Sequence, residues 1–209
     1  NTMIGPFRGG LARHPLFEAG LPGNSMRIKL SNTTEPNTFH YVTAVAFRRV
    51  PIFGSEAACL IFIRVLNEIR SIHPFKLVGY VIMPDHVHFI INPKDTSIST
   101  ILRKLKGKSA RLILDGLLAD NEHALLEKLG LGTKGRDYAV WQKGSATIDL
   151  VSEGFLRQKL NYIHMNPIRA GLCGAPKDWK WSSYRAYFPK ASGDVPIAVD
   201  VNPYWKMDG

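Results

Sequence analysis

Between Phe75 and Asn92 the chain reads FKLVGYVIMPDHVHFIIN, two apolar runs rich in β-branched and aromatic residues, separated only by Pro84-Asp85. Each run has strand composition, and Pro and Asp are turn formers. Two strands joined this closely fold back on each other as an antiparallel hairpin. The hairpin dictates an antiparallel sheet and limits where the rest of the chain can go. It also fixes a polar detail. His86 and His88 stand at i and i+2 of the second run, and alternate residues of a strand face the same way. The hairpin therefore carries two imidazoles on one face of an otherwise apolar strand.

The flanking segments complete a pattern. FHYVTAVAF (39–47) reads as a strand. SEAACLIFIRVLNEIRSI (55–72) reads as an apolar helix behind a capping Ser55. SISTILRKLKGKSARLILDGLL (97–118) reads as a second helix, with Ile101, Leu102, Leu105, Leu112 and Ile113 as its apolar positions. A Gly-rich, charged connection (120–137) leads to DYAVWQ (137–142), expected to be a short fourth strand. SEGFLRQKLNYIHMN (152–166) reads as a helix capped by Ser152, with Pro167 ending it, since the residue before proline is pushed out of the helical region. The order strand, helix, strand, strand, helix, strand is the split βαβ of ferredoxin-like folds. The expected class is α+β: an antiparallel sheet with helices on one face, plus a C-terminal helix added to that core. Residues 1–37 read as an irregular or partly disordered N-terminal arm, 38–188 as the domain, and 189–209 as a C-terminal tail.

Net charge is +10, from 27 basic and 17 acidic residues. Such a field favours polyanions, nucleic acid before an acidic membrane, although a merely basic soluble protein has the same total. The two cysteines, Cys59 and Cys173, have no CxxC spacing, which argues against a zinc ribbon and gives no disulfide framework. Cys59 reads as a small core residue. No apolar signal core opens the sequence and nowhere do eighteen apolar residues run together, so a cytoplasmic protein with no membrane partner is expected.

On a helical wheel Leu156, Leu160 and Ile163 form a buried stripe in the last helix. Tyr162 and Asn166, at i and i+4, share the edge of that stripe, with Gln158 and Lys159 nearby. A phenol and a carboxamide there could meet the two histidines. On the residues alone, Tyr162 is equally a packing residue, Asn166 a helix stop before Pro167, and the histidine spacing incidental. His40 and His164 could approach, but nothing in the spacing demands it. Arg103, Lys104, Lys106, Lys108 and Arg111 give the second helix a basic face that could track phosphates or could be a solvated surface. Arg169, Lys177, Lys180 and Arg185 interleave with Trp179, Trp181, Tyr184 and Tyr187. Such a segment can stack unpaired bases while cations hold the backbone, or can pin the tail to the core.

MPDHVHFIIN, KLNYIHMNPIRAGL and WKWSSYRAY, in that order, resemble the single-tyrosine HUH transposases. The resemblance is greatest to the REP-associated tyrosine transposases, with their YIHxNPxRAGL and W-x-W-S-S-Y patterns, and it covers residues 38–188. It implies that His86-Val87-His88 is the His-hydrophobe-His element and binds a divalent metal. It further implies that Tyr162 is the nucleophile and Asn166 the third ligand, where better-known relatives carry Gln. The implied cofactor is Mg²⁺ or Mn²⁺, imidazole suiting Mn²⁺ better on softness grounds; no carboxylate is evident in the shell. The implied partner is single-stranded or hairpin DNA. Relatives include monomers and dimers that share active sites in trans, so a homodimer is one of two expected states. The implied activity is metal-dependent nicking and rejoining of DNA through a 5′-phosphotyrosine. The alternative is a non-catalytic hairpin DNA- or RNA-binding protein derived from a transposase. A two-histidine phosphoesterase ranks third, because its His-x-Ser/Thr motifs do not occur here.

Overall fold

The computed structural model describes residues 38–133, 136–188 and 193–201. The expected N-terminal arm lies outside these, as does the end of the tail. In chain order the elements are β1 Phe39–Val45, α1 Glu56–Ile72, β2 Phe75–Met83, β3 His86–Pro93, α2 Ile98–Ala119, α3 His123–Leu129, β4 Gly130–Thr133, β5 Arg136–Tyr138, β6 Ala146–Leu150, α4 Glu153–Arg169 and α5 Tyr184–Tyr187. Four strands form one antiparallel sheet in the order β2-β3-β1-β6. The β2–β3 hairpin closes at Met83↔His86 around the Pro84-Asp85 turn.

Strand alternation sorts the core into two layers. Val42, Ala44, Val87, Phe89 and Ile91 face α1 and α2 in the larger cluster with Phe62, Leu66, Ile101 and Leu105. Tyr41, Val81 and Ile90 face the other way and pack with Leu156, Leu160 and Ile163 of α4. The wheel's buried stripe is thus the contact face of α4, and the sheet is sandwiched between α4 and the α1–α2 pair. The approach of α4 is close at β2, where a Cβ on Gly79 would lie 2.3 Å from Leu160 Cδ1. Gly79→Ala should therefore lower stability by about 1–3 kcal/mol, as overpacking does in a dense core. An unchanged urea midpoint would show that Leu160 moves aside freely.

Several expectations need correcting. The fourth strand of the sheet is β6 rather than DYAVWQ. Residues 136–138 pair instead with 130–133 in a separate two-stranded ribbon, and Val140 and Trp141 are anchored in the larger core. The connection before them also contains α3, which its glycines disguised. Pro167 does not end α4, which runs to Arg169 with Pro167 buried inside it. The stop is Gly171 at φ 69°, whose N–H bonds the carbonyl of Ile168, a left-handed helix terminus that glycine adopts easily. Ser152 caps α4 by accepting from Phe155 N, whereas the Ser55 side chain makes no capping bond to α1.

The tail is fastened to the exposed side of β2. Ile82 N donates to Trp181 O, Ser183 N to Tyr80 O, and Asp200 N to Leu77 O. Trp179 Nε1 donates to Ile82 O at 3.0 Å and Tyr187 Oη to Val78 O at 2.6 Å. The WKWSSYRAY stretch therefore covers what would otherwise be an open sheet edge. Of the two roles its aromatic residues could take, Trp179 and Tyr187 have the pinning one.

Candidate functional site

Alternation along β3 puts His86, His88 and Ile90 on the α4 side of the sheet. The two imidazole centroids are 4.7 Å apart at 77°. His88 is buried beneath α4, and its ring lies 5.8 Å from that of Tyr162. Tyr162 is half-buried, so the site opens to solvent at the phenol.

Neighbouring residues hold both rings. His88 Nδ1 lies 2.8 Å from Tyr41 Oη and 2.9 Å from Thr43 Oγ1. These oxygens come from β1, whose residues 41 and 43 share the face of His88 through the Thr43↔His88 pairing. His86 Nδ1 contacts Asp85 Oδ1 at 2.5 Å, and the other oxygen of Asp85 accepts from Arg49 at 2.9 Å. With Nδ1 of each ring so engaged, Nε2 is left for a ligand. An imidazole fixed in this way by a carboxylate or hydroxyl on its other nitrogen is the usual arrangement around a metal-binding histidine. Burial, then the charges of His86 and Lys159, hold the His88 pKa well below the ordinary value, so the ring is neutral and its lone pair free. The donor set thus fits a divalent cation. Among the described residues, no group of three or more His, Cys, Asp or Glu side chains is placed to hold a metal. A third protein ligand here would therefore be an oxygen of another kind, such as an amide, hydroxyl or carbonyl oxygen.

Asn166 is buried one turn beyond Tyr162, and its Nδ2 donates to the Tyr162 carbonyl at 2.9 Å. That bond fixes the amide on the edge it shares with the phenol and leaves Oδ1 as its acceptor. Two cations flank the Tyr162 ring: Lys159 Nζ at 5.7 Å from its centroid and Arg169 Cζ at 5.1 Å. Lys159 also lies 5.1 Å from the Tyr41 ring, and burial lowers its pKa.

Of the other expected contact residues, only Arg169 is at the site. Arg103, Lys104, Lys106, Lys108 and Arg111 lie on α2, in the opposite layer. Lys106 bonds the carbonyls of Gln142 and Gly144; Lys108 pairs with Glu68, and Arg111 approaches Asp115 at 3.9 Å. In the tail, Lys180 pairs with Glu56, and Arg185 bonds the carbonyls of Lys177 and Asp194. Arg103 and Lys177 are exposed with no ion pair among the described residues.

His40 and His164 are not part of the site. His40 pairs with Asp149 across β1–β6 at 2.8 Å. His164 is buried on the tail side of α4, with Nε2 2.9 Å from Ser183 Oγ. Burial pushes its pKa down to about 3. The unfolded chain takes up this proton near pH 6.5 and the folded chain only near pH 3, so stability falls as pH drops through that window. One such group contributes a slope of up to about 1.4 kcal/mol per pH unit. Urea midpoints at pH 7 and pH 5 should therefore converge in His164→Gln; an unaltered difference would assign the acid sensitivity elsewhere.

Sequence reasoning placed Lys159 beside the Tyr162–Asn166 edge but missed Tyr41, Thr43 and Asp85 as parts of this site. Asp85 read as turn chemistry, and Tyr41 and Thr43 as strand formers. Their signal is the alternation F-x-Y-x-T in β1, which becomes informative only once β1 is known to pair with β3.

Residues 34–153, more than half of the chain, match the family model of IS200-like transposases. The chain belongs to the IS200-like transposase family. The chain is also 26% identical, over 128 residues, to a Haemophilus influenzae protein whose curated name places it among the REP-associated tyrosine transposases. That match covers 57% of this chain and 68% of the relative. The solved structure of a REP-associated tyrosine transposase bound to a REP hairpin superimposes with a TM-score of 0.55 at 18% identity, covering 83% of this chain and 93% of that one. At that identity the superposition establishes a shared fold. The family match includes both histidines and ends before Tyr162, so the role of the phenol depends on the site itself.

Proposed function

We propose that this transposase nicks and rejoins single-stranded or hairpin DNA through a 5′-phosphotyrosine on Tyr162. The observation that carries the reading is the convergence of two same-face imidazoles, each with Nδ1 engaged, on a half-exposed phenol contributed by the helix above them. Tyr162 Oη attacks the scissile phosphorus, the Oη–P bond forms, and the P–O3′ bond breaks. The phenol proton passes to solvent and the departing 3′-oxygen takes one up. The covalent intermediate conserves the phosphodiester for rejoining. A neutral tyrosine, with a pKa near 10, is a poor nucleophile. Lys159 and Arg169 beside its ring attract the anionic phosphate it meets. His86 and His88, with the Asn166 amide oxygen, would hold a divalent cation, Mg²⁺ or Mn²⁺, which when bound polarises the phosphate and stabilises the leaving oxygen. Arg49, through Asp85, and Tyr41 with Thr43 keep the two rings in place.

The decisive test is incubation with labelled hairpin DNA and metal, followed by denaturing electrophoresis. An adduct resistant to denaturant supports cleavage. Hairpin binding with no adduct in any divalent metal would favour the non-catalytic alternative.

Binding itself should prefer hairpin or single-stranded DNA to blunt duplex and weaken steeply with salt. Each neutralised phosphate releases counterions, and six to ten contacts correspond to about 10³–10⁵ in affinity between 50 and 200 mM salt. The ion-paired and carbonyl-bound cations above should contribute less than Arg103, Lys177 and Arg169. A flat salt titration would show that the basic surface is not the contact surface.

A further inference from the structure

Residues 46–53, in the connection from β1 to α1, close over the turn that precedes His86. Ala46 N donates to Asp85 O at 2.8 Å and Phe53 N to Pro84 O at 2.9 Å, so this one segment holds both carbonyls of the Pro84-Asp85 turn. The segment is itself anchored. Val50, Ile52 and Phe53 are buried in the larger core, with the Phe53 ring 5.7 Å from Phe62 and 5.4 Å from Trp141.

Between these anchors the backbone adopts a conformation its residues disfavour. Val50 N donates to Phe47 O at 3.0 Å, and the two residues enclosed, Arg48 and Arg49, lie at φ 51° and 55°. Positive φ at both central positions is the mark of a type I′ turn, which Gly, Asn and Asp dominate. A longer L side chain is crowded there by its own backbone. Such strain persists only where the surroundings impose it, and it clusters at functional sites.

The turn delivers the Arg49 side chain. Arg49 Nη1 donates to Asp85 Oδ2 at 2.9 Å, while Asp85 Oδ1 meets His86 Nδ1 at 2.5 Å. A carboxylate only accepts, so the proton of this second bond is on Nδ1. The Arg49 side chain is 39% exposed, and an ion pair so open to water adds little stability. Stability is therefore a poor reason for two arginines in a strained turn. The two imidazoles are also held differently: His88 by hydroxyls of the neighbouring strand, His86 by a charged chain that starts outside the sheet. Arg48 takes no part in it; its guanidinium lies over the Phe47 ring at 4.8 Å.

We infer that Arg49 is a positioning residue that sets the affinity of the two histidines for a divalent cation. Acting through Asp85, it keeps the His86 proton on Nδ1 and the ring in one orientation, with Nε2 free. The inference rests on the proposed function, which gives both rings to a metal. A carboxylate behind a ligating imidazole fixes its tautomer and makes it a better donor, and losing such a partner lowers metal affinity about 10–100-fold. Arg49 acts one step further out, by fixing the carboxylate.

The test titrates Mn²⁺ into the full chain without DNA, following free Mn²⁺ by electron paramagnetic resonance. Arg49→Asn places a residue that tolerates the turn and removes the guanidinium; Arg48→Asn relieves the same turn and leaves the chain of contacts intact. Both should melt within a few degrees of the parent protein. Arg49→Asn should bind Mn²⁺ about tenfold more weakly, Arg48→Asn should match the parent, and Arg49→Lys, with its charge and N–H donors, should recover most of the loss. In the metal-free parent at pH 8, ¹⁵N ring spectra should show His86 protonated on Nδ1. Arg49→Asn should blur that tautomer and leave the His88 signals in place. Parent-like Mn²⁺ affinity in Arg49→Asn, an equal loss in Arg48→Asn, or equal changes at both rings would overturn the role of Arg49 while the metal site stands. A parent protein that binds no Mn²⁺ overturns the metal site of the proposed function and this inference with it.

Discussion

Tyr162→Phe should abolish the covalent protein–DNA adduct while hairpin affinity stays within a few-fold. The substitution removes one oxygen from a half-exposed ring, and that oxygen has no hydrogen bond among the described residues, so the fold should be unaffected. Tyr41 is the second phenol at the site and the sharper control. Its hydroxyl is engaged with His88 Nδ1 at 2.8 Å, and burial, then the neighbouring Tyr162, raise its pKa further from neutrality. Tyr41→Phe should therefore slow the reaction by loosening His88 and still yield adduct. Tyr184 and Tyr187 belong to the tail, where Tyr184 stacks on Phe188 and Tyr187 holds Val78 O. Their Phe variants should form adduct normally. Undiminished adduct in Tyr162→Phe would falsify the assignment, and its loss only in Tyr41→Phe would move the nucleophile to β1.

Replacing His86 and His88 together by Ala should eliminate cleavage and leave DNA binding nearly intact. The change removes two ring donors and none of the lysines or arginines whose field attracts DNA. Lewis-acid stabilisation is worth several kcal/mol, so a loss of about a thousandfold or more is expected. The fold pays unevenly for the two changes. His88→Ala removes a ring that bonds the Tyr41 and Thr43 hydroxyls in a buried place and should cost about 1–3 kcal/mol of stability, whereas His86 is partly exposed. His86→Ala alone is therefore the cleaner probe of chemistry. Metal-independent cleavage at the parent rate by the double variant would rule out the metal site.

The parts of the fold visible in the sequence were those set by local pattern. The hairpin followed from two apolar runs around Pro84-Asp85, and the facing of the histidines from strand alternation alone. The stripe Leu156, Leu160, Ile163 correctly gave the buried side of α4. What was hidden depends on contacts distant in sequence. ATIDL is too short and too mixed to outrank DYAVWQ as a strand, and only its pairing with β1 distinguishes them. Pro167 carried a strong local stop signal that burial against the sheet overrode, leaving Gly171 to end the helix. At the site, Asp85 had a sufficient local role as a turn former. Its contact with His86 lies one residue away, yet it gains a second role only because the fold sets that ring 4.7 Å from His88. The α2 cations illustrate the converse: a basic helix face is plain in sequence, but which side of the sheet it occupies is not.

Because the same strand supplies His88 to one layer and Val87 and Phe89 to the other, β3 has no neutral change of length. Inserting or deleting one residue in the turn before it would turn the imidazoles into the apolar layer and the aliphatic side chains towards α4. Descendants of this sequence can thus lengthen or shorten freely only elsewhere, as in the connection between α2 and β6, where a helix and a ribbon already interrupt the simplest path. Lineages that diversify their substrate range would be expected to vary in that connection, while the Pro84-Asp85 turn keeps its length.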